Sequence, residues 1–192
     1  MTVAADLLRA TRLASGLSTR GLARQAGTAP ARLSEVERSV HDPSVGTLDR
    51  VLRSAGWQLI VVPTRAPTAA SVALSIVEHG TEGHRDEERA FRALLSLSDS
   101  LSDAAPDVKV VLCVAPAPLT GDGRFDAAIA AVVEYHLGGA GIPVPSWVHE
   151  PSRSLTEPWT PDPYAGPGIA DATPEPFRRR GVLLAERELA ST

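Results

Sequence analysis

Residues 19–38 read TRGLARQAGTAPARLSEVER, and the spacing of their apolar side chains predicts the local fold. Apolar residues recur at helical spacing on both sides of a glycine. They are Leu22, Ala23 and Ala26 before Gly27, and Leu33 and Val36 after it. Ala23 is small, as expected where a second helix crosses closely, and Gly27 suits the left-handed turn between the two helices. The window therefore predicts two short helices joined by a tight turn.

The boundaries of these two helices follow from their hydroxyl and proline residues. Ser18 or Thr19 is placed to cap the first helix, because a hydroxyl accepts a hydrogen bond from a free N–H at a helix start. Thr28 is predicted to cap the second helix, which spans residues 29–38. Pro30 lies in its first turn, where the N–H that proline lacks has no partner within the helix.

Two more helices and a strand are predicted around this pair. Apolar residues at helical spacing cover 4–15 and 45–55, and each run is followed by a glycine, Gly16 or Gly56. Residues 57–62, WQLIVV, are rich in β-forming side chains and are closed by a proline, so we predict a short strand there. A single strand needs a partner, which is either its copy in a dimer or a later segment of the chain.

This order of five elements closely resembles the Cro-type (Xre) helix-turn-helix family of phage and plasmid repressors, over about residues 7–57. The resemblance implies that the third helix enters the DNA major groove with its early residues facing base edges, while helix starts and basic side chains hold phosphates. Thr19 occupies the position where the family usually has a phosphate-binding glutamine. The expected DNA-contacting residues are Thr19, Arg20, Arg24, Thr28, Ala31, Arg32, Ser34, Glu35 and Arg38. Of these, the resemblance implies that Ala31, Arg32, Ser34 and Glu35 contact bases.

Several of these assignments have an alternative. Arg32 suits guanine and Glu35 suits cytosine, but three residues apart on a helix they could equally pair with one another. The remaining arginines are also consistent with ordinary surface charge. Thr19, Thr28 and Pro30 replace the glutamine, valine and polar residues that are common in the family. A protein-interaction module that has lost DNA binding therefore stays an alternative to a DNA-binding regulator.

Charge is divided unequally along the chain. Residues 1–65 contain nine arginines and five acidic residues, a net charge of +4, whereas the remaining ten basic and eighteen acidic residues give −8. A basic head suits contact with phosphate, and an acidic body does not. Because one helix contacts too few base pairs for selectivity in a genome, we expect a homodimer that binds an inverted repeat in double-stranded DNA. The family resemblance implies that it acts as a repressor.

The predicted fold class is mainly α, with a phage-repressor-like helix-turn-helix domain over 1–65 and a mostly helical domain with a proline- and glycine-rich tail over 66–192. Residues 108–114 fit a buried strand and a helical turn equally well. Trp147 and Trp159 in the tail indicate chain that is wrapped over a core. The other predicted segments are helices over 69–78, 85–103 and 125–137 and a short helix or turn over 177–189.

Four segments of the second domain are loosely similar to C-terminal regions of actinobacterial antitoxin-like regulators. They are TGDGRFDAA at 120–128, EYH at 134–136, GIPVPSW at 141–147 and PFRRRGV at 176–182. The similarity implies an antitoxin whose acidic domain binds a toxin protein, a nucleotidyltransferase-like one. The alternative is a regulator that senses a small molecule between its C-terminal helices. Arg178, Arg179 and Arg180 either contact phosphate or an acidic partner, or pair within the chain.

The sequence argues against an enzyme, a cofactor and a metal site. Residues 78–88 are dense in acids and histidines, but a hydrated loop has the same composition. Glu134 and His136 are two residues apart on a predicted helix and so cannot face one site. Cys113 is the one cysteine and cannot form an internal disulfide. With no signal-peptide pattern and no apolar stretch of about 20 residues, we expect a cytoplasmic protein that does not enter the membrane.

Overall fold

The computed structural model describes residues 3–61, 64–81, 84–161 and 165–189 and has a mainly helical chain. The chain divides into two compact units, residues 1–61 and 62–192, which we call the N-terminal unit and the C-terminal unit. The described residues contain ten α-helices and one isolated β-bridge, with no β-strand. None of the described helices is both long and apolar enough to span a membrane.

The N-terminal unit is built from four helices, α1 (Val3–Ala14), α2 (Thr19–Ala26), α3 (Pro30–Glu37) and α4 (Val45–Ser54). α3 packs on α1 and α2, and α4 packs on the same two helices. Their apolar faces meet in one core, whose buried members are Ala4, Leu8, Leu22, Ala23, Ala26, Leu33, Val36, Leu48, Val51 and Leu52. Ala23 has no exposed surface, so a larger side chain there would push neighbouring helices away.

Both ends of α2 have well-defined hydrogen bonds. Ser18 is the N-cap, and its Oγ accepts a hydrogen bond from the Gly21 N–H at 3.0 Å. Gly27 adopts the left-handed conformation with φ of 62°, and the next N–H, that of Thr28, donates to the Ala23 carbonyl at 2.9 Å. These bonds satisfy backbone groups that a helix end leaves without a partner.

The prediction that Thr28 caps α3 is wrong. The N-cap residue is Ala29, and no side chain caps this helix. Proline disfavours the helical conformation in the residue before it, and Ala29 is accordingly extended, with φ of −77° and ψ of 136°. α3 therefore begins at Pro30, and the Thr28 N–H completes the end of α2 instead.

The predicted strand over 57–62 is also wrong for the residues that the structure describes, 57–61. The Trp57 Nε1–H donates to Ser15 Oγ at 3.1 Å, and Trp57 and Leu59 pack against the core of the N-terminal unit. Within the described part of the chain no segment pairs with 57–61. β-forming side chains do not make a strand without a neighbour that supplies backbone hydrogen bonds. Pairing with a second copy stays a prediction, and Val62 lies outside the described residues.

The helices of the C-terminal unit are α5 (Ala69–His79), α6 (His84–Asp103), α7 (Pro106–Val114), α8 (Gly123–Gly139), α9 (Ile169–Ala172) and α10 (Glu175–Arg178). Single turns of 3-10 helix occur at Ser146–His149, Pro151–Arg153 and Glu186–Glu188. α7 shows that residues 108–114 are helical. Pro106 starts this helix, because its fixed φ suits a first turn and its missing N–H costs nothing there.

α8 is the centre of the C-terminal unit. Every residue over 125–133 is buried, and α5, α6, α7 and α10 all pack against this helix. Asp122 caps it by accepting a hydrogen bond from the Arg124 N–H at 2.9 Å. A helix that is buried all round needs cover on every side, and its neighbouring helices alone do not supply it.

The proline- and glycine-rich tail completes this cover with its two tryptophans. Trp147 is buried, and its Nε1–H donates to the Cys113 carbonyl at 3.0 Å. The Trp159 ring packs edge-on against Phe125, with ring centroids 5.4 Å apart. Trp159 also forms the isolated parallel bridge with Val182, which joins two parts of the tail. The prediction that the tail wraps over a core is confirmed.

A buried polar contact holds the last described residues. The Ser98 Oγ–H donates to the Leu189 carbonyl at 2.9 Å, and the same Oγ lies 2.9 Å from His136 Nε2. Because the single hydroxyl proton is directed at Leu189, the ring nitrogen is the donor in the second bond. Burial, followed by the charge of Lys109, lowers the pKa of His136 to about 4, so the ring is neutral at pH 7.

This contact predicts an acid-sensitive C-terminal unit. A depressed histidine pKa contributes stability that is complete above the unfolded-state pKa of about 6.5 and is lost as the pH falls toward the folded-state value of about 4. Since the ring keeps some exposure, we expect a loss of about 1–2 kcal/mol over this window. His136→Gln should remove the loss, because an amide keeps a donor and does not titrate.

The measurement is urea unfolding of the full chain between pH 7 and pH 4, in a Trp57→Phe background. In that background tryptophan fluorescence reports on the C-terminal unit alone. Other titrating groups, such as Asp126, are common to both proteins, so the difference between them isolates His136. Equal pH dependence with and without His136→Gln would contradict the prediction.

Candidate nucleic-acid interface

α3 turns an apolar side to the core and a polar side to solvent. Leu33 and Val36 are buried. The four predicted base-contacting residues are at least partly accessible, with Ala31 and Arg32 exposed and Ser34 and Glu35 half-buried. Arg32 and Glu35 do not pair with one another, and neither has an opposite charge within ion-pairing distance in the described chain. Both charged groups are therefore available to a ligand.

A bidentate ion pair fixes the end of α3 to α1. Arg12 Nε lies 2.6 Å from Glu37 Oε1, and Arg12 Nη2 lies 3.1 Å from Glu37 Oε2. The remaining nitrogen, Nη1, donates to the Leu17 carbonyl at 3.3 Å, in the loop before α2. Both side chains are mostly buried, with 15% and 12% of their surface exposed. A paired, planar contact of this kind fixes orientation as well as distance, so it sets the position of α3.

α2 carries three of the predicted DNA contacts, Thr19, Arg20 and Arg24. Thr19 is the first residue of α2 and is half-buried, whereas Arg20 and Arg24 lie one turn apart and are exposed. Among the described residues neither arginine has a carboxylate within ion-pairing distance. Two unneutralised guanidinium groups on one helix face give a local positive field.

Other arginines of the N-terminal unit are engaged inside the fold. The Arg38 Nε–H donates to the Ser34 carbonyl at 3.1 Å and so stays against its own helix. The Arg50 Nη1–H donates to the Ala26 carbonyl at 2.5 Å, where it satisfies the end of α2. Arg53 pairs with Asp49 at 2.8 Å. Arg38, a predicted DNA contact, is thus exposed, but one of its N–H groups is used in a hydrogen bond to α3. Arg50 has a structural role.

A cleft of about 360 Å³ lies beside α3, between it and α4. Its apolar walls come from both helices and from α1, and its rim is polar. The residues lining it are Leu8, Thr28, Arg32, Leu33, Val36, His41, Asp42, Pro43, Ser44, Thr47, Leu48, Arg50 and Val51. Thr28 and Arg32, both predicted DNA contacts, therefore also line this cleft.

Comparisons of the chain with protein-family models, with curated proteins and with solved structures find no match. Assignment of function therefore depends on the geometry of the residues themselves.

The C-terminal unit holds a second charged cluster. Glu134 of α8 pairs with both Arg179 and Arg180, and Arg178 pairs with Glu175. Burial, followed by the neighbouring charge of Arg179, lowers the pKa of Arg180 to about 10. The three arginines are thus paired within the chain, which is the second of the two alternatives that the sequence left open for them. Across the described residues no group of three or more acids, histidines or cysteines is placed to hold a metal.

The contacts that position α3, and the cleft beside it, are not evident from the sequence. The Arg12–Glu37 pair joins residues 25 positions apart, and no local pattern marks such a contact. The rim residues His41, Asp42 and Ser44 lie in the segment between α3 and α4. Ser44 itself carries a usable signal, because a serine before an apolar run is typical of an N-cap, and Ser44 caps α4.

We predict that breaking the Arg12–Glu37 pair loosens α3. Arg12→Met or Glu37→Gln leaves the other mostly buried charge without its partner, so each should cost about 1–3 kcal/mol. The free energy of opening is measured by hydrogen-exchange mass spectrometry on the full chain, in peptides from α1 and α3. The double variant should cost less than the sum of the single variants.

The control is the exposed pair Arg53–Asp49 on α4. Arg53→Met and Asp49→Asn should each cost about 0.5 kcal/mol or less, because solvent screens this pair. Equal costs for the two pairs would contradict a positioning role for Arg12.

Proposed function

We propose that the protein is a sequence-specific DNA-binding transcriptional regulator that inserts α3 into the major groove and acts as a homodimeric repressor. The observation that carries this proposal is the guanidinium of Arg32, which lies on the exposed side of α3 beside small and polar residues and has no ion-pair partner in the described part of the chain. A side of this composition fits against base edges, where a bulky or apolar side would not. The helix-turn-helix resemblance of residues 7–57 supports the same assignment.

Electrostatics gives a second line of support. Arg20 and Arg24 on α2 are exposed and have no carboxylate within ion-pairing distance among the described residues, whereas Arg12 and Arg53 pair with Glu37 and Asp49. The guanidinium groups of Arg20 and Arg24 are thus left for phosphate. α2 would cross the DNA backbone while α3 contacts the bases.

The same geometry supports a dimer. α3 has eight residues, and four of them are the expected base contacts, which cover a few base pairs at most. Selectivity in a genome needs more positions than this, and a second copy on an inverted repeat supplies them.

The antitoxin hypothesis concerns the C-terminal unit and is carried by the loose similarity described above. One feature of this unit favours a protein partner. Val110 and Val114 lie one turn apart on α7 and are 41% and 55% exposed, and Leu119 beyond the helix is 54% exposed. Exposed apolar side chains on one helix face are suited to a partner surface. A nucleotidyltransferase-like toxin is the partner that the similarity implies.

The proposal is tested by selecting bound duplexes from a random library with the full chain, followed by anisotropy titration on the selected duplex and on a scrambled one. We expect a selected sequence with two-fold symmetry and half-sites about one helical turn apart. Arg32→Ala should lower affinity for the selected duplex by about 1–3 kcal/mol and reduce the preference for it. Arg20→Gln with Arg24→Gln should weaken both duplexes and lower the salt slope by about 1 per lost phosphate contact.

The matched control is Arg89→Gln with Arg92→Gln on α6, which makes the same change in charge in the C-terminal unit. These two arginines pair with acids of their own helix and should leave DNA binding unchanged. Recovery of no preferred sequence, at low and at high salt, would contradict the proposal. It would then favour the alternative of an interaction module that has lost DNA binding.

A further inference from the structure

The cleft between α3 and α4 has the dimensions of a small-molecule site. Its volume of about 360 Å³ lies within the range of about 300–1,000 Å³ that is typical of ligand pockets. The helices on either side pack on α1 and α2 and leave this space between them. Five aliphatic side chains form its walls, which are Leu8, Leu33, Val36, Leu48 and Val51.

The rim of the cleft carries an excess of positive charge. Arg32 and Arg50 line it together with one acid, Asp42. Arg50 is already bonded to the Ala26 carbonyl, whereas Arg32 is exposed and has no carboxylate within ion-pairing distance in the described chain. One net positive charge over an apolar wall is complementary to a molecule with one negative group and an apolar body.

We propose that this cleft binds a small amphipathic carboxylate, with its apolar body against Leu33, Val36 and Leu48 and its carboxylate paired with Arg32. Ser44 and Thr47 stand on the same rim, and their hydroxyl groups are 3.0 Å apart. They supply further polar contacts beside the carboxylate. The neutral hydroxyl groups and the single free guanidinium suit a monoanion better than a multiply charged ligand.

Occupation of the cleft has a consequence for DNA, and this part rests on the proposed function. Arg32 is the side chain assigned to a base edge, so a ligand that pairs with it removes one base contact. Binding of the carboxylate and binding of the operator are then antagonistic. By linkage, each lowers the affinity for the other by the same factor. The N-terminal unit would thus bind both the DNA and the small-molecule effector.

The test uses octanoate labelled with ¹³C at the carboxylate, titrated against the full chain and followed by NMR without DNA. We expect saturable binding to one site per chain. Octanol, which has the same apolar body and no charge, should bind at least about tenfold more weakly. Arg32→Gln should weaken octanoate at least about tenfold, and Thr47→Trp, which fills the cleft from its exposed rim, should abolish binding.

The control variant is Arg53→Gln, which removes an equal charge from α4 outside the cleft and should leave octanoate binding unchanged. Both test positions are exposed, so circular dichroism of the variants should match that of the parent protein. Absence of binding up to about 10 mM octanoate, or binding unaltered by Arg32→Gln and Thr47→Trp, would overturn the proposal.

The DNA arm is separate, so the two proposals fail independently. If octanoate binds as expected, adding it should weaken the selected duplex by the factor by which the duplex weakens octanoate. If the protein binds octanoate at Arg32 but selects no DNA sequence, the ligand-binding proposal is supported and the proposed regulatory function is contradicted. If it selects a DNA sequence but does not bind octanoate, the regulatory function is supported and the ligand-binding proposal is contradicted.

Discussion

An eight-residue helix is not stable by itself in water, because the cost of nucleating a helix exceeds what one or two turns return. α3 therefore keeps its position through contacts with the rest of the N-terminal unit. Two apolar side chains, Leu33 and Val36, attach one side to the core, and the Arg12–Glu37 pair attaches the end. The outer side of α3 does not contribute to the core, so its residues can be polar. This division is the condition for any function assigned to that side.

In the C-terminal unit the corresponding constraint is a helix that is buried all round. α8 carries Asp126 into the core, where Thr120 donates to it from its N–H at 2.8 Å and from its hydroxyl at 2.9 Å. Burial is the largest influence on Asp126 and raises its pKa, against these hydrogen bonds. Arg153 of the tail lies 3.7 Å away, stacked 5.0 Å from the Trp147 ring. The tail thus brings both aromatic cover and a counter-charge.

The sequence predicts the helices well where a periodic apolar face and a terminal residue agree. Ser18 and Gly27 mark α2 in this way, and Asp122 marks α8. Prediction from the sequence fails where the local structure depends on contacts with residues far away in the chain. Side-chain propensity predicts a strand over 57–62, but Trp57 bonds to Ser15 and no neighbouring strand pairs with this segment within the described residues.

The same limit applies to the candidate site. That Arg32 and Glu35 lie on one side of a helix follows from their spacing of three residues, and the structure leaves both at least partly exposed. That Arg12 holds Glu37, or that Arg179 and Arg180 share Glu134, depends on residues brought together by folding. The cleft follows from which helices touch each other, and side-chain periodicity does not reveal it. A salt link or a cavity between elements is a property of the packing.

The division of charge then bears on how selective the proposed regulator is. Arg12 and Arg53 are paired with acids, and Arg38 and Arg50 are bonded to carbonyls, so half of the eight arginines in residues 1–61 have internal duties. Each phosphate that a cation neutralises adds to the affinity for DNA independently of the base sequence. A unit with few free cations, joined to a body of net charge −8, binds DNA weakly unless base contacts add to the phosphate contacts. Under the proposed function, the small number of free arginines makes the affinity for DNA depend on how well α3 matches the bases. It also makes the affinity depend on binding by a second copy of the chain.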